Sequence, residues 1–210
     1  MDAIAGIYSV SVTLAQFQQG RGQLTVYLQK FRNRLKGKNR VYVAQIVRVL
    51  DSIIAYLQST ALASKSVDGL VDAGALMSGK GVDQINLFKL NRYLQDSRLA
   101  RKVDGYTVYA ENADALTTPG SRNATDYRPK QSVPVLTHIQ GFLTSLMNPS
   151  AEGRFFFSKE ETGGVTLRYM LLDPTFHFKD IVEEARAVVL AGGTMSPVSS
   201  MLSSRGVFVH

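Results

Sequence analysis

The chain has 210 residues, enough for one ordinary hydrophobic core or two small ones. Its composition is globular, with 45% hydrophobic and 20% charged residues, and the absence of cysteine excludes disulfides and thiolate metal sites. A formal charge of +7 and a pI near 9.7 fit a polyanionic partner such as DNA, and no apolar run approaches the ~20 residues that cross a membrane.

Residues 7–13 alternate, with Ile7, Ser9 and Ser11 against Tyr8, Val10 and Val12, which predicts a short strand. Leu24, Tyr27, Leu28, Phe31 and Leu35 recur every three or four residues and mark one stripe of a helix. Gly37 is a candidate stop for that helix, and Asn39 a candidate cap for the next. The second helix is striped by Val43, Ile46, Val47, Leu50, Ile53, Ile54 and Leu57. So short a linker between two striped helices predicts an antiparallel hairpin. Residues 59–82, rich in Ser, Gly and Ala, read as a loop with room for a helical turn. A third helix is predicted over 82–101, with Ile85, Phe88, Tyr93 and Leu94 among its apolar positions. Residues 111–133 hold few large apolar side chains and read as a long loop.

The pattern changes at Pro134. It opens a helix with Leu136, Ile139, Phe142, Leu143 and Leu146 on one side, ended by Pro149. Phe155–Phe157 and Val165–Leu171 predict two strands, with Gly163-Gly164 in the hairpin between them. Asp173-Pro174 makes a turn, and a short helix is predicted over 176–185. Ala187–Ala191 is an apolar run of the kind buried on both faces of a sheet. It runs into Gly192-Gly193-Thr194, and Ser196 and Pro197 then cap and start a helix. That order places backbone N–H groups and the Thr194 hydroxyl at the carboxyl end of a strand, where α/β sheets bind ligands and helix starts favour anions. The same turn also occurs in α/β domains that bind nothing there.

Six cations fall between Lys30 and Arg40, at positions 30, 32, 34, 36, 38 and 40. A spacing of two scatters them around a helix until the turn at Lys36, Lys38 and Arg40. They read either as phosphate contacts or as a solvated hairpin. Tyr27 and Phe31 lie on the apolar stripe, which points to packing rather than base stacking. His138, His177 and His210 are far apart in sequence and suggest no metal cluster. His138 has no nucleophile near it in sequence and reads as structural. Asp173 and Glu160-Glu161 read as turn and loop residues.

The stretch AVVLAGGTMSPVS (187–199) resembles motif III of the iron–sulfur DEAH-box helicases of the XPD type. Its Gly-Gly-Thr-Met form is similar to the chromosome-loss branch of that family, which supports sister-chromatid cohesion. GIYSVSVT (6–13), YLQKFRNRLKGKN (27–39), INLFKLNRY (85–93), LTHIQGFLTSL (136–146) and LRYMLLDPTFHF (167–178) follow in the family's order. The resemblance covers about residues 1–200. It implies a mixed α/β fold in which a helical arch-type insertion joins an incomplete RecA-like (P-loop helicase) motor domain. By that likeness residues 1–13 follow the DEAH box in the motor, 14–131 form the arch, 132–200 close the first motor domain with motif III, and 201–210 are an unassigned tail.

The resemblance further implies an ATP-dependent 5′–3′ DNA helicase of the nucleus, acting in replication, repair and sister-chromatid cohesion. Its partners would be forked or single-stranded DNA and replication and cohesin factors, with no membrane. Full-length members use ATP, Mg²⁺ and a 4Fe–4S cluster. This chain contains no Gly-x-x-x-x-Gly-Lys-Ser/Thr, no Asp-Glu-Ala-His and no cysteine. In the family these features lie upstream of the point matching Met1, and the second motor domain lies beyond the point matching His210. The chain is therefore expected to be an internal segment, with no cofactor of its own and no ATP turnover alone. Gly192, Gly193 and Thr194 would couple the nucleotide cleft to DNA, with Thr194 hydrogen-bonding across it. Lys36, Lys38 and Arg40 are the candidate DNA contacts. The alternative is a non-catalytic DNA- or protein-binding module derived from the arch.

Overall fold

Thr13 decides where the first strand ends and the first helix begins. Its hydroxyl accepts the Gln16 N–H at 3.1 Å, while the Gln16 side chain accepts the Thr13 N–H at 2.9 Å, a reciprocal cap. Strand β1 (Val10–Thr13) thus passes directly into helix α1 (Leu14–Lys30). The computed structural model describes residues 9–61, 63–117, 133–148, 153–161, 163–172 and 183–187.

Helix α1 stops earlier than its stripe predicts. The chain turns through 31–35, and Phe31 and Leu35 pack against the core from that connection. Helix α2 runs Gly37–Tyr56 and continues as a π-helical turn, Leu57–Ala61. Gly37 is therefore the first residue of α2 rather than the stop of α1. The described glycines in the left-handed region are Gly81 and Gly163, so Gly37 does not supply the conformation that a C-terminal stop uses. Asn39 lies inside the first turn, and the cap position belongs to Lys36, which makes no side-chain cap bond. The predicted antiparallel hairpin is present, with Arg21 of α1 paired to Asp51 of α2 at 2.9 Å. The continuous helix from Gly37 to Ala61 has the length and apolar content of a membrane-crossing segment. Its stripe, Val43, Ile46, Leu50, Ile53 and Leu57, is instead fully enclosed by the rest of the fold.

Residues 59–82 are more ordered than a loop. They contain the end of the π-helical turn, strand β2 (Asp68–Val71) and the single-turn helix α3 (Ala73–Leu76), capped by Asp72. Strand β2 escapes the sequence pattern because Asp68 and Gly69 interrupt any apolar alternation and Leu70 is exposed. The predicted helix 82–101 is two helices, α4 (Leu87–Ser97) and α5 (Leu99–Thr117). Arg98 breaks them by adopting a left-handed conformation, φ 50° and ψ 41°. Helix α5 also occupies 111–117, the start of the predicted long loop. Helix α6 spans Val135–Ser145.

Strands β3 (Gly153–Lys159) and β4 (Val165–Leu171) form the predicted hairpin, closed where the Glu160 N–H donates to the Gly164 carbonyl at 2.8 Å and the Gly163 N–H donates to the Glu160 carbonyl at 2.9 Å, with Gly163 at φ +83°. The sheet is antiparallel throughout, in the order β1-β4-β3-β2. One sheet thus takes strands from the predicted helical stretch and from the closing stretch. A run of ring contacts joins the layers: Phe17 of α1 to Phe142 of α6 at 5.3 Å, Phe142 to Phe155 of β3 at 5.5 Å, and Phe155 to Tyr169 of β4 at 4.9 Å. Each such ring, buried against its neighbours, contributes about 1.5–3 kcal/mol. The mixed helix-and-sheet class is as expected. The predicted strand Ala187–Ala191 lies outside the described residues beyond Ala187, as do most of the helix over 176–185, Pro149 and the Asp173-Pro174 turn.

Candidate nucleic-acid interface

From residue 3 to residue 50 the chain contains no Asp or Glu but eight Lys and Arg. The α1–α2 hairpin therefore carries the chain's net positive charge, and the remainder is close to neutral. At its tip, Lys30, Arg32, Arg34, Lys36, Lys38 and Arg40 are all exposed, and none takes part in an ion pair among the described residues.

The structure brings Lys36, Lys38 and Arg40 together around the start of α2, with Lys36 at the cap position and the other two in the first turn. Cations are expected at the opposite end of a helix, where they complement the dipole. Here they face the positive end, and no acid in that turn compensates them. The arrangement works against the helix by a few tenths of a kcal/mol per charge at an exposed site. An anion placed there meets both the free N–H groups of α2 and the three cations.

Next to this tip lies a groove of about 500 Å³ between the start of α2 and the start of α4. Lys38, Tyr42 and Gln45 line it from α2, and Gln84, Asn86 and Lys89 from the other side. Tyr42 stacks on Tyr93 of α4, ring centroids 4.7 Å apart and planes 19° from parallel. Burial pushes the Tyr93 phenol above the usual tyrosine range. Asn86 caps α4, its side-chain oxygen accepting the Lys89 N–H at 2.9 Å. Lys89 and Tyr42 join the site only through the tertiary fold. Nothing in the local pattern around Lys89 sets it apart from any other exposed lysine.

Tyr27 and Phe31 pack as their stripe predicts. They meet each other at 4.7 Å, and Phe31 meets Tyr106 of α5 at 5.1 Å. His138 lines a second cleft, of about 320 Å³, with Gln16, Gln19, Gln23 and Asp104, and no hydroxyl or thiol side chain shares that lining. Glu160 accepts a hydrogen bond from the Thr166 hydroxyl at 2.8 Å across the β3–β4 hairpin, a loop role as predicted. Among the described residues no three His, Cys, Asp or Glu side chains come together as a metal site would require. A cluster held by cysteine thiolates does not fit a chain with none. Gly192, Gly193 and Thr194 lie outside the described residues.

No protein-family model matches the chain. Its sequence is 57% identical over 203 residues to ATP-dependent DNA helicase chl1 of Aspergillus niger, a match covering 97% of this chain and 22% of that protein. ATP-dependent DNA helicase CHL1 of Coccidioides immitis is 57% identical over 199 residues, 95% of this chain and 22% of that protein. The chl1 helicase of Schizosaccharomyces pombe is 34% identical over 211 residues, 97% of this chain and 25% of its own length. The chain thus spans about a quarter or less of the length of these relatives.

Proposed function

From this match to the CHL1 ATP-dependent DNA helicases along nearly the whole chain, we propose that the chain serves as a DNA-contacting, non-catalytic part of such a helicase. The observation that carries the reading is the acid-free hairpin, whose tip gathers Lys36, Lys38 and Arg40 at a helix start. Three cations beside free N–H groups form a surface for successive backbone phosphates. The unwinding itself, its 5′–3′ polarity, and work in replication, repair and cohesion in the nucleus belong to the proposal for the whole protein. ATP and Mg²⁺ would be held by the Walker and DEAH residues that this sequence lacks. A 4Fe–4S cluster would need cysteines from elsewhere, and no step is assigned to it here. Residues 14–131 would be the arch and 132–200 the closing part of the motor. Gly192, Gly193 and Thr194 would then sense the nucleotide cleft. Replication and cohesin factors are the proposed protein partners.

Binding of a labelled DNA fork to the purified chain tests this reading. Affinity is expected to fall steeply as salt rises from 50 to 200 mM. Lys36→Ala/Lys38→Ala/Arg40→Ala should weaken binding at low salt by about tenfold or more and reduce the salt slope by up to about three. DNA affinity unchanged by the triple substitution would rule out the tip. The arch-derived docking module remains the second reading, favoured by the exposed apolar side chains Val41, in the groove lining, and Phe88 of α4.

A further inference from the structure

We propose that the groove between α2 and α4 is a base-stacking subsite for single-stranded nucleic acid. This rests on the DNA-contacting reading above and adds a choice of strand form to it.

Two lysines, Lys38 and Lys89, line the groove from opposite sides, both are exposed, and no carboxylate shares the lining. The electrostatic complement is a polyanion. A charged furrow alone would hold duplex and single strand alike. The groove adds an aromatic surface in Tyr42, half-buried and fixed against Tyr93 in a near-parallel stack. A ring already held in place loses little freedom when a base settles on it. Within a strand only an unpaired base has a free face to offer, because interior duplex bases are already stacked on both sides. Gln45 and Gln84 supply amides that both donate and accept, so any base edge finds a partner and the subsite is tolerant of sequence. The Asn86 cap bond to the Lys89 N–H fixes the first turn of α4, and with it the base of the Lys89 side chain. Lys38 belongs to the tip and to the groove, so a strand whose phosphates lie along Lys36 and Arg40 continues into the groove without a gap in positive charge.

The test uses the full 210-residue chain and two labelled probes, a thymidine oligonucleotide of about 12 nucleotides and a blunt duplex of the same length. Anisotropy titrations compare Lys89→Ala, Tyr42→Leu and the tip pair Lys36→Ala/Arg40→Ala. Both groove variants are expected to weaken the single strand by about fivefold or more and the duplex by less than about twofold. The tip pair should weaken both probes. An oligonucleotide carrying 5-iododeoxyuridine should photocrosslink to Tyr42, and should lose that crosslink when duplexed. If Tyr42→Leu fails to fold, Lys89→Ala and the crosslink decide. Unchanged single-strand affinity in Lys89→Ala, beside a loss in the tip pair, overturns the groove and leaves the DNA-contacting reading standing. Equal loss on strand and duplex overturns base stacking in favour of a phosphate surface. Binding to neither probe overturns both readings.

Discussion

Ser52 is 7% exposed in the middle of α2 and holds two pieces of chain at once. Its hydroxyl donates to the Leu76 carbonyl at 2.7 Å and accepts the Gly79 N–H at 2.9 Å. Ser52→Ala would leave both backbone groups without that partner, at a cost of about 1–3 kcal/mol. A urea titration should show a lowered midpoint with an unchanged slope, and an unaltered midpoint would mean that the loop finds other partners. In the sequence Ser52 is only a polar interruption beside a clear stripe, since its partners lie beyond the end of the helix. Lys36, Lys38 and Arg40 were legible as a cluster because charge density needs no fold to be seen. Their place at the start of α2 rather than in the turn between the two helices was not legible. It depends on the turn at 31–35, from which half-buried Phe31 and Leu35 pack against the core.

Between elements, α1 approaches α6 closely at Gly20. A β-carbon there would run into Ile139 Cδ1 and stand 3.3 Å from Leu136 Cδ2, both on enclosed residues. Gly20→Val should cost about 1–3 kcal/mol by overpacking. Gly22, two residues on, has nothing within 4 Å of a β-carbon. Gly22→Ala should therefore raise stability, by about 0.5–1 kcal/mol. Thermal melts of the two variants moving in the same direction would contradict the packing assigned to α1. Helices α2 and α6 and strands β3 and β4 were visible in the sequence because each keeps one period over several turns or residues. Strand β2 has four residues and an exposed edge, too little for a period. The break at Arg98 has no glycine, asparagine or proline to announce it, and the burial of Leu90, Leu94, Leu99 and Val103 on either side imposes it.

At the scale of the whole molecule, charge and chemistry are separated. The hairpin holds the cations, while no three His, Cys, Asp or Glu side chains come together among the described residues and the sequence contains no Gly-x-x-x-x-Gly-Lys-Ser/Thr. The purified chain is therefore expected to show no ATP turnover, with or without DNA, in a phosphate-release assay. Turnover above that of a Thr194→Ala control would overturn this expectation. The stretch 187–199 was the most informative of the sequence, and beyond Ala187 it lies outside the described residues. The hairpin, plainer as text, supplies the candidate site. A motif records a family's chemistry, whereas a surface records what the folded chain presents.

Strand β1 sits at the sheet edge, paired with β4 from Val10↔Tyr169 to Thr13↔Thr166. On the ribosome its neighbour is complete only when Val165–Leu171 has been added, roughly ten to thirty seconds after β1 at ordinary elongation speeds. Helices α1 and α2 need no such wait, since their contacts are local and close in far less than a second. The nascent chain thus offers its cationic hairpin to any passing polyanion well before the strand that anchors it has anything to pair with.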